Sequence, residues 1–143
     1  MQTPRRMPAG VQIGSAIPVL RMLDEAASRI FYINYLGAVV DWEHRFTPED
    51  PASPLYMQIT LGRATFHLDG HADESAPVSQ VRVPVFDLVG FCDWLATKSE
   101  SGEQPSIVDP RYEGKPTDLN LLDPSGNMLV FWARELDDLG DSD

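Results

Sequence analysis

The sequence predicts an α+β fold in which two βαβββ modules follow one another in one chain and face each other across a groove. Three observations predict it. Apolar runs of strand length are interrupted by two helical stretches, each opened by an aspartate, Asp24 and Asp87. Those aspartates are 63 residues apart, and the same step carries the strand segment Phe66–Leu68 onto the apolar segment Leu129–Phe131. One offset therefore aligns landmarks at both ends of a repeated unit. Each unit alone leaves one face of its sheet uncovered. Two units facing each other cover it and form curved sheets around a cleft. The expected organisation is a flexible N-terminal arm over 1–14, one domain over 15–133 with modules 15–70 and 78–133, and an acidic tail over 134–143.

The elements follow from local chemistry. Ser15 to Met22 is apolar enough for a strand, and Pro18 within it restricts it to a sheet edge or a strand start, because proline cannot donate to a ladder. Asp24 then caps a helix on which Ala26, Ile30 and Ile33 recur at helical spacing, with Ala27, Phe31 and Tyr35 beside them. Gly37 closes that helix. Ala38 to His44 reads as a strand and Thr47 to Pro54 as a proline-rich loop. Tyr56 to Leu61 and Ala64 to Asp69 are strands joined by a tight turn at Gly62-Arg63.

The second half restarts the order. Gln80 to Val85 is a strand, Asp87 a cap, and Leu88, Phe91 and Leu95 mark one face of a helix. Trp94 lies on that helix and reads as packing. Ser99 to Tyr112 is a long polar stretch with a short strand near Ile107 and Val108. Thr117 to Leu122 is a strand, Asp123-Pro-Ser-Gly-Asn127 a dense turn signal, and Met128 to Ala133 the last strand.

Composition narrows the class of function. The chain has 143 residues, a 43% hydrophobic fraction and a net charge of −11, which suits one domain with a real core. The span 15–133 itself holds 17 acids and 8 bases, a net of −9. Such a field disfavours nucleic acid and anionic membranes and favours cationic partners. No apolar run reaches membrane length. No apolar segment follows Arg5 and Arg6, so the expectation is no signal peptide and a cytoplasmic location. The single cysteine, Cys92, excludes an internal disulfide and sits in an apolar helical stretch, as a core thiol does.

Three segments carry a family likeness. Ser15-Ala-Ile-Pro-Val-Leu20 opens the domain, Asp24 to Gly37 contains Phe31-Tyr32 followed by Tyr35-Leu36-Gly37, and Asp123-Pro-Ser-Gly-Asn127 leads into an apolar strand. Together they resemble the bleomycin-resistance proteins of the vicinal-oxygen-chelate superfamily, which also holds glyoxalase I and extradiol dioxygenases. The turn is shared across the superfamily; the opening segment is closer to the resistance branch. The resemblance implies a homodimer whose interface cleft captures a flat, cationic antibiotic by stacking and charge, without chemistry.

The superfamily's enzymes hold a divalent metal through four residues, two per module. The resemblance places the corresponding positions at Ile17, His67, Gln80 and Val130, which obey the same 63-residue offset. Two are aliphatic, whereas protein metal sites usually supply at least three ligands. The expectation is therefore no cofactor. The alternative is one divalent metal such as Zn, Ni, Mn or Fe, in a glyoxalase-like lyase or a dioxygenase. His67, Asp69 and His71 form a second weak metal set if the strand continues past Asp69, since a spacing of two places them on one face. Gly70 argues that the strand ends first. His44, at a strand end beside Arg45, reads as a surface residue.

A planar cation needs aromatic faces and carboxylates. The candidate cleft residues are Trp42, Tyr56, His67, Asp69, Gln80, Tyr112 and Trp132, with Phe46 a further aromatic. Strict alternation would turn either Trp42 or its neighbours Asp41 and Glu43 inward, not both. The resistance proteins stack a drug on the tryptophan of a Gln-Pro-Trp-Gly segment. Here Gln104-Pro105 is followed by Ser106, and the stacking position falls near Lys115, with Tyr112 the nearby aromatic. The reading is a metal-independent protein that sequesters a small cationic or aromatic molecule, with bleomycin itself left open.

Overall fold

The computed structural model describes residues 5–98, 107–108 and 118–134. Among the described residues before Val19 there is no regular element beyond a turn in which Val11 N–H bonds the Pro8 carbonyl. The first module is β1 (Val19–Arg21), helix α1 (Glu25–Arg29) continuing as a π-helical stretch (Ile30–Tyr35), β2 (Val39–Arg45), β3 (Leu55–Leu61) and β4 (Ala64–Asp69). The second is β5 (Gln80–Val85), α2 (Leu88–Ala96), β6 (Ile107–Val108), β7 (Asp118–Leu122) and β8 (Met128–Ala133). Two four-stranded sheets result, ordered β1-β4-β3-β2 and β5-β8-β7-β6. In each, the first strand runs parallel to the last and the rest are antiparallel.

The predicted repeat holds at the level of register. Val19 pairs with His67 in the first sheet, and Arg82 pairs with Val130 in the second, each partner displaced by the same 63 residues. Both caps form as expected: Asp24 accepts from Ala27 N–H at 2.9 Å and Asp87 from Gly90 N–H at 3.0 Å. Pro18 lies just before the edge strand β1, where it removes no ladder donor. The first strand is shorter than the predicted Ser15 to Met22, because pairing with β4 spans Val19–Arg21 alone.

One local expectation is corrected, and Trp94 packs as expected while staying partly exposed. Ile30, placed on the apolar stripe of α1, is 63% exposed, and the buried line is Ser28, Tyr32 and Leu36. The helix loosens into π hydrogen bonding from Ile30, with Leu36 N–H reaching back to Phe31, so the stripe recurs every four residues rather than every 3.6. Trp94 is 43% exposed. Its indole stacks on Phe91, lies under the Lys98 ammonium at 3.9 Å, and covers Gly37. Gly37 ends the helix at φ +83°.

The core is shared by both modules and includes Leu20, Tyr32, Met57, Ile59, Phe66, Leu68, Leu95, Leu119, Leu129 and Phe131. The turn after β7 bolts the modules together. The buried Asp123 carboxylate accepts from the N–H groups of Ser125 and Asn127, each at 2.8 Å, from the Asn127 amide at 2.8 Å and from the Tyr32 hydroxyl at 2.6 Å. Asn127 also donates to the Arg21 carbonyl at 3.0 Å and accepts from Ser79 N–H at 3.0 Å. A buried carboxylate is tolerated because its lone pairs are filled. Burial, followed by the Asp123 charge, pushes the Tyr32 phenol far above its ordinary pKa.

Candidate functional site

Alternation along β3 and β4 sorts their side chains. Leu55, Met57, Ile59, Phe66 and Leu68 are buried against the core, leaving Tyr56, Gln58, Thr60, Thr65, His67 and Asp69 on the opposite, open face. Cross-strand pairing then arranges that face in rows. Val19, His67, Gln58 and Trp42 form one row across the four strands; Arg21, Asp69, Tyr56 and His44 form the next.

A β-bulge between Val40 and Trp42 changes what this face offers. The extra residue, Asp41, breaks the alternation. Its carboxylate therefore joins Trp42 on the open face, accepting from Gln58 Nε2 at 3.0 Å and Thr60 Oγ1 at 2.5 Å. The expectation that Trp42 and its acidic neighbours would be mutually exclusive holds for Glu43 alone. Glu43 turns to the helix side and pairs with Arg29 at 3.0 Å. Those two hydrogen bonds hold the Asp41 carboxyl below its ordinary pKa.

The contacts continue as a directed relay. A carboxylate only accepts, so Gln58 must present its NH2 group to Asp41 and its Oε1 to His67, 3.0 Å away. In the neutral ring, His67 Nε2 then carries the proton and Nδ1 accepts from the Tyr56 hydroxyl at 2.9 Å. Trp42 lies nearly parallel to Tyr56, with 6.1 Å between centroids and 12° between planes, and meets His67 edge-on at 5.3 Å. Trp42 remains 43% exposed. Burial, then the charge of Asp69, raises the Tyr56 pKa, so the phenol stays protonated and available as a donor.

The predicted site residues divide into three groups. Trp42, Tyr56, His67 and Asp69 share the open face of the first sheet. Gln80 is exposed on β5 opposite Met128, and Trp132 is half-buried on β8 beneath the Arg82 guanidinium, 5.8 Å from its ring. Tyr112, with Lys115, lies outside the described residues. His71 does not join His67. The strand ends at Asp69, and the His71 ring turns back to Asp69 Oδ1 at 3.2 Å and to the edge of Phe46. His44 is exposed as expected. Gln58 and Thr60 were absent from the sequence-based set, although their alternation with Met57 and Ile59 signals the polar face.

The chelate positions carry few donors. Ile17 precedes β1 and is partly exposed, Val130 is buried on β8, and both ring nitrogens of His67 are engaged by neighbours. Among the described residues, no three of His, Cys, Asp and Glu converge on a point that would hold a metal ion. These side chains do not fit the superfamily's four-ligand metal site. No helix among them is long and apolar enough to cross a membrane.

Comparison with known proteins places the fold. Among solved structures, a bleomycin-binding protein complexed with bleomycin is similar with a TM-score of 0.55 and 23% identity, over 86% of this chain and 100% of that one. The bleomycin-binding protein of the bleomycin-producing Streptomyces verticillus, complexed with copper(II)-bleomycin, has a TM-score of 0.60 and 22% identity, over 87% and 99%. The fosfomycin resistance protein FosX of Listeria monocytogenes reaches 0.65 at 12% identity, over 89% and 98%. At these identities the likeness is one of fold. No curated protein matches by sequence. A family model described as glyoxalase superfamily protein matches residues 5–138, and the chain belongs to the glyoxalase superfamily.

Proposed function

We propose that this protein binds a small cationic aromatic molecule on the open face of its first sheet, without a metal and without chemistry on the ligand. One observation carries the reading: Trp42 and Tyr56 present near-parallel rings on the same face as the carboxylates of Asp41 and Asp69. A flat cation laid there meets an aromatic surface and negative charge together. Stacking contributes about 0.5–1.5 kcal/mol beyond area burial, and a cation over a ring a similar amount. The net charge of −11 adds long-range attraction. The bleomycin-binding proteins of the same fold make an antibiotic of this character a reasonable ligand class.

The metal-independent part of this reading is supported by the donor set. A metal at His67 would have to displace either Tyr56 or Gln58, and Ile17 and Val130 offer no lone pair. A homodimer belongs to the proposal, because a second copy would wall the open face into a cleft around Val19, Val39 and Trp42, which are 48%, 63% and 43% exposed.

The test is a thermal-shift and calorimetric screen of bleomycin-class compounds and simple aromatic cations, beside light scattering and elemental analysis of dialysed protein. The expected result is saturable binding weakened about tenfold in Trp42→Ala. Stoichiometric metal that disappears in His67→Ala, or no response to any aromatic cation at saturation, overturns the proposal.

A further inference from the structure

The molecule has a recess apart from that open face, and its charged lining is opposite in sign to the chain as a whole. A hollow of about 420 Å³ opens where the edge of the first sheet approaches β5 of the second. Ile17, Pro18, Phe66 and Val83 contribute apolar wall, and its two charged residues are both arginines, Arg63 and Arg82. Neither guanidinium has an ion-pair or hydrogen-bond partner among the described residues, although acids outnumber bases 22 to 11 in the chain. The Arg82 guanidinium is steered by the Trp132 ring, 5.8 Å below it.

The backbone adds a donor. Ser79 and Val85 direct their carbonyls to β8, accepting from Met128 and Arg134. With the alternation of a strand, the N–H of Arg82 points the other way, off the open edge of the sheet that borders the hollow. Pro84, the next residue with that orientation, has no N–H. One backbone amide and two arginines therefore border the same apolar hollow. Guanidinium groups match the two-oxygen geometry of carboxylate, phosphate and phosphonate.

We propose that this junction binds a small organic oxyanion with a compact apolar body, the anionic group between Arg63 and Arg82 and the body against Ile17, Phe66 and Val83. The inference is independent of the first-sheet reading. It concerns other residues and a ligand of opposite charge, so either proposal fails without the other.

The test is NMR titration of the full chain with benzoate, phenylphosphonate and neutral benzamide. Saturable shifts centred on the Arg82 amide with either anion, absent with benzamide and weakened by added salt, uphold the site. A benzoate response assigns a carboxylate ligand, and a phenylphosphonate response a phosphorus oxyanion. Arg63→Gln and Arg82→Gln, both exposed and compatible with folding, each weaken the anion tenfold or more. No saturation with either anion, equal binding of benzamide, or unchanged affinity in both variants overturns the site.

Discussion

The Tyr32 hydroxyl donates to the Asp123 carboxylate at 2.6 Å, joining the first helix to a turn 91 residues later. Both groups are buried, and the bond ties one module to the other. Tyr32→Phe removes the donor and leaves the ring. The expected loss is about 1.5–3 kcal/mol of unfolding free energy, as for other hydrogen bonds to charged groups. Urea denaturation measures it, and a loss below 0.5 kcal/mol would refute this account of the junction.

The same pair sets an alkaline limit. The Tyr32 pKa is raised in the native state, while the unfolded phenol titrates near its ordinary value of about 10. Between those values the unfolded chain has released a proton that the native protein keeps. Stability is thus fully present below about pH 10 and is lost as pH rises toward the folded pKa, by at most about 1.4 kcal/mol per pH unit. Tyr32→Phe should show a shallower decline above pH 10 than the wild type.

Arg21 is an inter-module clamp. Its guanidinium donates to the carbonyls of Ser125 at 2.8 Å, Glu74 at 3.0 Å and Ala76 at 2.9 Å. Arg21→Ala should cost about 2 kcal/mol and speed amide exchange in the linker around 74–78. Arg21→Lys, a point donor in place of a fork, should recover less than half. Exchange rates unchanged in Arg21→Ala would show that the linker is held by something else.

The relay from Tyr56 to Asp41 dictates a tautomer. In wild-type protein the neutral His67 ring carries its proton on Nε2. In Asp41→Ala the Gln58 amide is free to flip, and the two tautomers mix. Long-range proton–nitrogen correlation spectra report this directly, and a wild-type ring protonated on Nδ1 contradicts the relay.

Two glycines separate backbone strain from packing. Gly62, at φ +60°, has nothing near an added Cβ, whereas at Gly37, φ +83°, a Cβ would lie 2.9 Å from Trp94. Gly62→Ala should cost about 1–2 kcal/mol from the left-handed backbone alone. Gly37→Ala should cost more, and Gly37→Ala/Trp94→Ala should remove the excess. Equal costs for the two single changes would rule out a Trp94 clash.

Much of the fold was legible because it rests on short-range rules. The boundaries of β4 and β5, both aspartate caps, the Gly37 stop and the repeat offset all follow from periodicity and turn chemistry that act over a few residues. Features that departed from local rules were not legible. The bulge at Asp41 adds one residue to a strand whose composition shows no interruption. The π-helical stretch after Ile30 moves the buried line onto Tyr32, whose partner Asp123 lies in the other module.

The sequence by itself determined the order of elements, the duplicated plan and the acidity of the chain, since these depend on side-chain types and spacing. Tertiary structure alone decided which groups meet. It brought Asp41 beside Trp42, gave both His67 nitrogens partners, separated His71 and Gln80 from them, and left two arginines at the module junction. Such encounters depend on cross-strand register and module docking, where a one-residue shift changes the face a side chain occupies.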